Sequence, residues 1–161
     1  MLLVFNPITK GYKTEPPIFV VKFTKRRDIG DVLKAGRYDD INFLIRDGIK
    51  KKRLSLRDEE IGDRKITLLG FDYHINFQEV LIEARRQRLI LPSLGDPFLF
   101  GEQEPNEQKQ GSIVFLHDPS YFWSGCSFQL MLGLNSKGRN ISFVSSGSEW
   151  PKGCRFAFRS K

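Results

Sequence analysis

Apolar and polar residues follow two periods along this chain, and each period predicts a different kind of element. Ile18-Phe19-Val20-Val21-Lys22-Phe23 follows the breaker Pro16-Pro17 and reads as a buried strand. Asp28 stands where it can cap a short helix running to about Ala35, and Gly36 falls at the position that favours a left-handed residue. Ile41-Asn42-Phe43-Leu44-Ile45 has the alternation of a short strand, with the turn dipeptide Asp47-Gly48 after it. Lys65 to Phe71 reads as another strand. The period then changes. Phe77, Val80, Leu81 and Ala84 recur at helical spacing, with Glu83, Arg85, Arg86 and Arg88 largely off the stripe. Asn76 and Glu79 have capping-box spacing, which predicts an amphipathic helix over about 77–89.

Pro92 imposes extended geometry on Leu91, and Ser93 with Asp96 reads as a second cap, opening a short helix through Phe98 and Leu99. Residues 101–111, rich in Glu, Gln and Asn, read as loop or fraying helix. From Ser112 the period is two. Ile113 to Leu116 is a strand, and Phe128, Leu130, Leu132 and Leu134 alternate with Gln129, Met131 and Gly133. Asn135-Ser136-Lys137-Gly138 reads as a hairpin turn, with Ile141 and Phe143 on the returning strand. Cys154, Phe156 and Phe158 oppose Arg155, Ala157 and Arg159. The C-terminal part is therefore expected to form an antiparallel meander.

Composition sets bounds on this picture. The 161 residues suit one domain, or one domain with a small extension. With 40% hydrophobic residues and 14 Phe, the chain has the material for a packed core. No stretch approaches the roughly 18 consecutive apolar residues of a membrane-spanning helix, so no membrane partner is expected. The start, Met1 to Pro7, lacks the basic region of a secretory signal, and the cytoplasm is the default location. The net charge of +7 is uneven: residues 1–60 hold 14 Lys and Arg against 9 Asp and Glu, residues 61–120 hold 6 against 9, and residues 121–161 hold 6 against 1. Charge at both ends serves solubility. Folded onto one face, it would also attract phosphates or acidic partners. The run Lys50-Lys51-Lys52-Arg53 reads first as a solvated connection and second as a short nucleic-acid patch.

The two cysteines, Cys126 and Cys154, form no C-x-x-C pair and cannot make a structural zinc site unaided. In a reducing compartment they read as small buried residues, in an oxidising one as a single disulfide. His74 and His117 are the only histidines. His117-Asp118 could serve a serine or Cys126 as base, but Ser124-Gly125-Cys126-Ser127 lacks the spacing of a nucleophile elbow. Gly30, Gly36 and Gly48 are isolated, so there is no phosphate-cradling loop, and Glu102, Glu104 and Glu107 lie on a polar segment without a glycosidase pattern. Tyr121-Phe122-Trp123 fills a core corner or, with Arg139, Arg155 and Arg159 nearby, forms a surface that stacks on sugars or bases.

The order Asn76–Ala84 helix, Leu91-Pro92-Ser93, second short helix and closing Trp150-Pro151-Lys152-Gly153-Cys154-Arg155-Phe156-Ala157-Phe158-Arg159 carries a likeness. It resembles C-type-lectin-like domains of the formylglycine-generating and phage receptor-binding types. Together with Leu33-Lys34-Ala35-Gly36-Arg37-Tyr38-Asp39 it also looks like uncharacterised bacterial proteins. The likeness covers residues 76–161 and bears on fold more than function. Glu104-Pro105-Asn106 spells the calcium tripeptide of sugar-binding relatives, but Trp150 is followed by Pro151 and Lys152 where those relatives have two oxygen ligands. Cys126 and Cys154 are also far apart for the copper-holding pair of the oxidases.

The expected fold is thus α+β and C-type-lectin-like, with two helices and an antiparallel C-terminal meander. Residues 1–72 form a β-rich part of the same domain or a small extension, and residues 73–161 the helical and meander part. The expected function is a non-enzymatic binding module for a protein or glycan partner. The alternative is a basic nucleic-acid-associated protein. No cofactor and no metal are expected, and Tyr121, Phe122, Trp123, Lys137, Arg139, Trp150 and Arg155 are the candidate ligand-binding residues.

Overall fold

A computed structural model describes residues 15–116, 128–145 and 149–161. In chain order they form β1 (Ile18–Phe23), α1 (Ile29–Ala35), β2 (Asp40–Ile41), α2 (Phe43–Lys50), β3 (Gly62–Gly70), α3 (Phe77–Arg86) and α4 (Asp96–Gln103). A 3-10 turn, Glu107–Gln110, precedes β4 (Ile113–Phe115), β5 (Phe128–Asn135), β6 (Gly138–Ser145) and β7 (Arg155–Arg159). The fold is of the α+β kind. All seven strands join one mixed sheet in the order β1-β3-β7-β4-β5-β6-β2. Neighbours are antiparallel except for the parallel pairs β4–β7 and β2–β6.

Strand alternation divides the core between the two faces of the sheet. On one face Phe23, Ile66, Phe115 and Leu132 pack against α1 and α4. On the other Leu69, Val114, Phe156 and Phe158 pack against Val80 and Ala84 of α3. Both layers are dense in phenylalanine, and Phe98, Phe100, Phe115 and Phe156 are completely buried. Each contributes about 1.5–3 kcal/mol of transfer free energy.

Several expectations hold locally. The Asn76 side chain accepts from the Glu79 N–H while Glu79 accepts from the Asn76 N–H, so the capping box is complete. The Asn135–Gly138 hairpin joins β5 to β6 as expected. The larger plan differs in three ways. Four α-helices are described rather than two. Residues 41–45 are not a strand: β2 stops at Ile41, and Asn42 caps α2 by accepting from the Leu44 N–H at 2.9 Å. Ile45, Gly48 and Ile49 then face inward, a helical spacing that competes with the alternation of Ile41, Phe43 and Ile45. The C-terminal meander is also incomplete. β4, β5 and β6 follow one another antiparallel, but β7 inserts between β3 and β4. Its apolar residues on both faces suit a central strand covered on both sides.

Smaller differences concern the helix ends. Gly36 is right-handed, and Arg37 takes the left-handed position instead, with φ of 51°. Lys52 and Arg88 do the same after α2 and α3, with φ of 58° and 57°. Before α4, Ser93 does not cap. It donates its N–H to Asp96 Oδ2 at 2.7 Å.

Candidate functional site

Of the residues expected at a ligand surface, Tyr121, Phe122 and Trp123 lie outside the described residues. The other four are dispersed. Lys137 is exposed at the β5–β6 turn, 3.5 Å from Asp40. Trp150 is buried edge-on against Phe156 and pairs with Ile75 through two backbone hydrogen bonds. Arg155 donates to the Glu107 carboxylate at 2.9 Å and to the carbonyls of Glu107 and Gly111. Arg139 is buried and donates to Gly36 O, Gly101 O and Gln108 Oε1. Gly36 and Gly101 close the last turns of α1 and α4, so one guanidinium satisfies the orphaned carbonyls of two helices. Arg139 also lies 4.8 Å from the Tyr38 ring centre, while burial pushes the Tyr38 hydroxyl above its usual pKa range.

A second cluster of buried charge sits at the opposite end of α4. The Asp96 carboxylate, fully buried, accepts from Arg64 at 2.7 Å and from Arg159 at 2.6 Å. Glu59 accepts from the Gly95 N–H and the Ser93 hydroxyl, and lies 3.0 Å from Arg64. Burial alone would lower the Arg159 pKa. The hydrogen bond to Asp96 and the nearby carboxylates outweigh it and raise the value. Every charge here has a partner, so the cluster ties α4 to β3 and β7. It presents no reactive group.

A run of cations without side-chain partners among the described residues lies on residues 46–57. Arg46, Lys50, Lys51, Lys52, Arg53 and Arg57 face one carboxylate in that segment, Asp47, which is paired to Lys51 at 3.0 Å. The side chains of the other five make no hydrogen bond or ion pair among the described residues. Local structure explains why they point outward. On α2, Phe43, Arg46 and Lys50 share the face opposite Ile45 and Gly48. After α2, the Gly48 carbonyl accepts from the N–H groups of Arg53 and Leu54, and left-handed Lys52 turns the chain. Leu54 and Leu56 then plug into the core, leaving Arg53, Ser55 and Arg57 in solvent. Arg26 fixes this segment by donating to the carbonyls of Leu56 and Glu59.

Between this segment and the start of α1 runs a groove of about 840 Å³, lined by the cations Arg26, Arg27, Lys52 and Arg57 and by the carboxylates Asp28 and Asp58. Arg27 is held in place by a two-point bond to Glu102. Phe43, on the adjoining helix face, is 72% exposed, more than any other large hydrophobic side chain among the described residues. Sequence reasoning noticed Lys50–Arg53 but missed Phe43 and Arg46. The signal is their helical spacing with Lys50, which a strand-and-turn reading of residues 41–48 hides. Among the described residues no group of three His, Cys, Asp or Glu could hold a metal ion, and no helix is long and apolar enough to cross a membrane. No family model, curated protein or solved structure matches the chain.

Proposed function

We propose that this protein is a non-enzymatic binding module for single-stranded nucleic acid, using the outer face of α2 and the adjoining groove. One observation carries the reading: Phe43, the most exposed large apolar side chain among the described residues, shares a short stretch with five cations that have no partner of their own there. A phosphate backbone supplies the counter-charges, and an unstacked base supplies a flat partner for the Phe43 ring. Duplex is the poorer fit, because its bases are already stacked and offer Phe43 nothing. We keep the C-type-lectin-like likeness as a reading of chain order over residues 76–161. The binding surface lies outside that region.

The test is a titration of a labelled mixed-sequence single-stranded oligonucleotide across a salt series. Neutralising five phosphates gives a slope of log affinity against log salt of about −3.5, from roughly −0.7 per contact. The Lys50→Glu/Arg53→Glu/Arg57→Glu protein should bind much more weakly. An Arg85→Glu/Lys109→Glu/Lys152→Glu protein of equal net charge should keep most of it. Equal loss in both would assign binding to the overall field and remove the case for this surface.

A further inference from the structure

The outer edge of β1 is a second surface with unanswered groups, away from the basic face. β1 ends the sheet, and among the described residues no strand pairs with its outer side. Leu68 donates its N–H to the Pro17 carbonyl at 3.1 Å, so Pro17 faces β3. Antiparallel alternation then turns the backbone of Ile18, Val20 and Lys22 outward. Lys22 bears this out: its N–H donates to Gln103 Oε1 at 2.8 Å and its carbonyl accepts from Gln103 Nε2 at 2.7 Å. The Gln103 amide thus fills that position as a neighbouring peptide group would. Among the described residues Ile18 and Val20 have no such plug, and their side chains, on the α3 side of the sheet, are 59% and 48% exposed.

A cleft of about 940 Å³ opens beside them, between the start of β1 and the chain leaving α3. On its wall Thr67 Oγ1 and Ser160 Oγ lie 2.6 Å apart. One hydrogen is shared between them, which leaves the other hydroxyl hydrogen to donate outward. Arg88 and Lys161 line the cleft without side-chain partners among the described residues. Arg86, bonded to Glu83, adds a third cation, against the single carboxylate of Glu15.

We infer that this edge takes up an extended peptide of a partner protein as an added strand, its side chains on the α3 side apolar beside Ile18 and Val20 and acidic where it crosses the cleft. The backbone edge demands an extended chain with its own amides, which a nucleic acid lacks. Ile18 and Val20 call for apolar side chains above them, and the cations with the spare hydroxyl call for carboxylates. A second copy of this basic chain would bring like charges together. Because Gln103 closes the Lys22 end, the added strand runs from Val20 toward Pro16 and over the cleft.

The probe is a capped peptide whose α3-side positions are two valines followed by two glutamates, with threonine at the positions between, followed by fluorescence anisotropy, with lysine replacing glutamate in the control. Saturable binding is expected, weaker by roughly tenfold or more for the lysine peptide. Val20→Pro removes one outward N–H without touching the β1–β3 ladder, and should weaken binding by roughly tenfold while the circular dichroism spectrum is kept. Ile18→Lys tests the side-chain half of the contact should the proline variant fold poorly. The Lys50→Glu/Arg53→Glu/Arg57→Glu protein should bind this peptide as the unaltered chain does, which separates the two sites. Absence of saturable binding, or binding untouched by both Val20→Pro and Ile18→Lys, overturns the inference. Self-association of the protein that Val20→Pro abolishes also overturns it, since a second copy would then be the occupant.

Discussion

Arg64, Arg139, Arg155 and Arg159 lie on strands at the two ends of the sheet face beneath α4, and each guanidinium is taken up by carboxylates or helix-end carbonyls. Arg46, Arg53 and Arg57 carry the same group on α2 and the segment after it, and make no side-chain bond among the described residues. Residue type does not separate the two sets; the surrounding backbone does. A guanidinium has five donors in a fixed fork. Where a strand end points it at the open carbonyls of α1 and α4, as at Arg139, the fold takes up its two terminal nitrogens. On the solvent face of a helix there are no such acceptors, and the charge stays available to a ligand. The lesson concerns counting. Net charge read from a sequence gives the sum of both sets, while binding depends on the second alone.

The comparison breaks most sharply at Asp96. Asp96→Ala leaves Arg64 and Arg159 buried without their shared carboxylate and should cost about 3–5 kcal/mol in urea unfolding. A loss below 1 kcal/mol would mean that water reaches this cluster and that it is not interior at all. Arg139→Met is next. It strands the acceptors of two helix ends and should cost about 2–4 kcal/mol, with oligonucleotide affinity of the folded protein unchanged. A selective loss of affinity there would move Arg139 into the ligand-facing set. Reversing Lys50, Arg53 and Arg57 should leave stability within about 0.5 kcal/mol per site. It should also cut the salt slope toward about −1.4, the value for two remaining contacts. Phe43→Ala should weaken binding by about 1–3 kcal/mol. Unfolding midpoints that shift with it would assign Phe43 to the core. The smallest effect is expected at Lys52→Gly. Relief of the left-handed conformation is worth about 1–2 kcal/mol, and the looser unfolded chain takes back about half of it. A more stable protein that binds slightly less well is the expected outcome, measured by paired unfolding and titration.

Elements that carried one unopposed signal were legible from the residues. β1 and β3 follow from their apolar runs, the β5–β6 hairpin from its alternation and turn, and α3 from its apolar stripe and capping box. Residues 41–50 were not, because Ile41, Phe43 and Ile45 fit a strand while Ile45, Gly48 and Ile49 fit a helix. Asn42 tips the balance by supplying the cap. The position of β7 was illegible for a different reason. Its residues announce burial on both sides but not which strands provide it, and its pairing with β3 joins residues some ninety apart in sequence. The candidate surface inherited the first difficulty. Read as a strand, residues 41–45 give Phe43 no face in common with Arg46 and Lys50, whereas the arginines near the C-terminus, which the fold holds inside, stand out in the sequence by charge alone.

The place of β7 also bears on how the chain is made. It is the last strand in order of synthesis and yet third in the sheet. Until residues 155–159 emerge from the ribosome, β1–β3 and β4–β5–β6–β2 are two part-sheets that share no strand pairing among the described residues. Each leaves one long backbone edge open, β3 on one side and β4 on the other. Such edges are the surfaces on which incomplete chains aggregate. Folding must therefore wait until β7 is made and then close in one cooperative step. A stop codon a few residues before Arg155 removes the seam of the sheet.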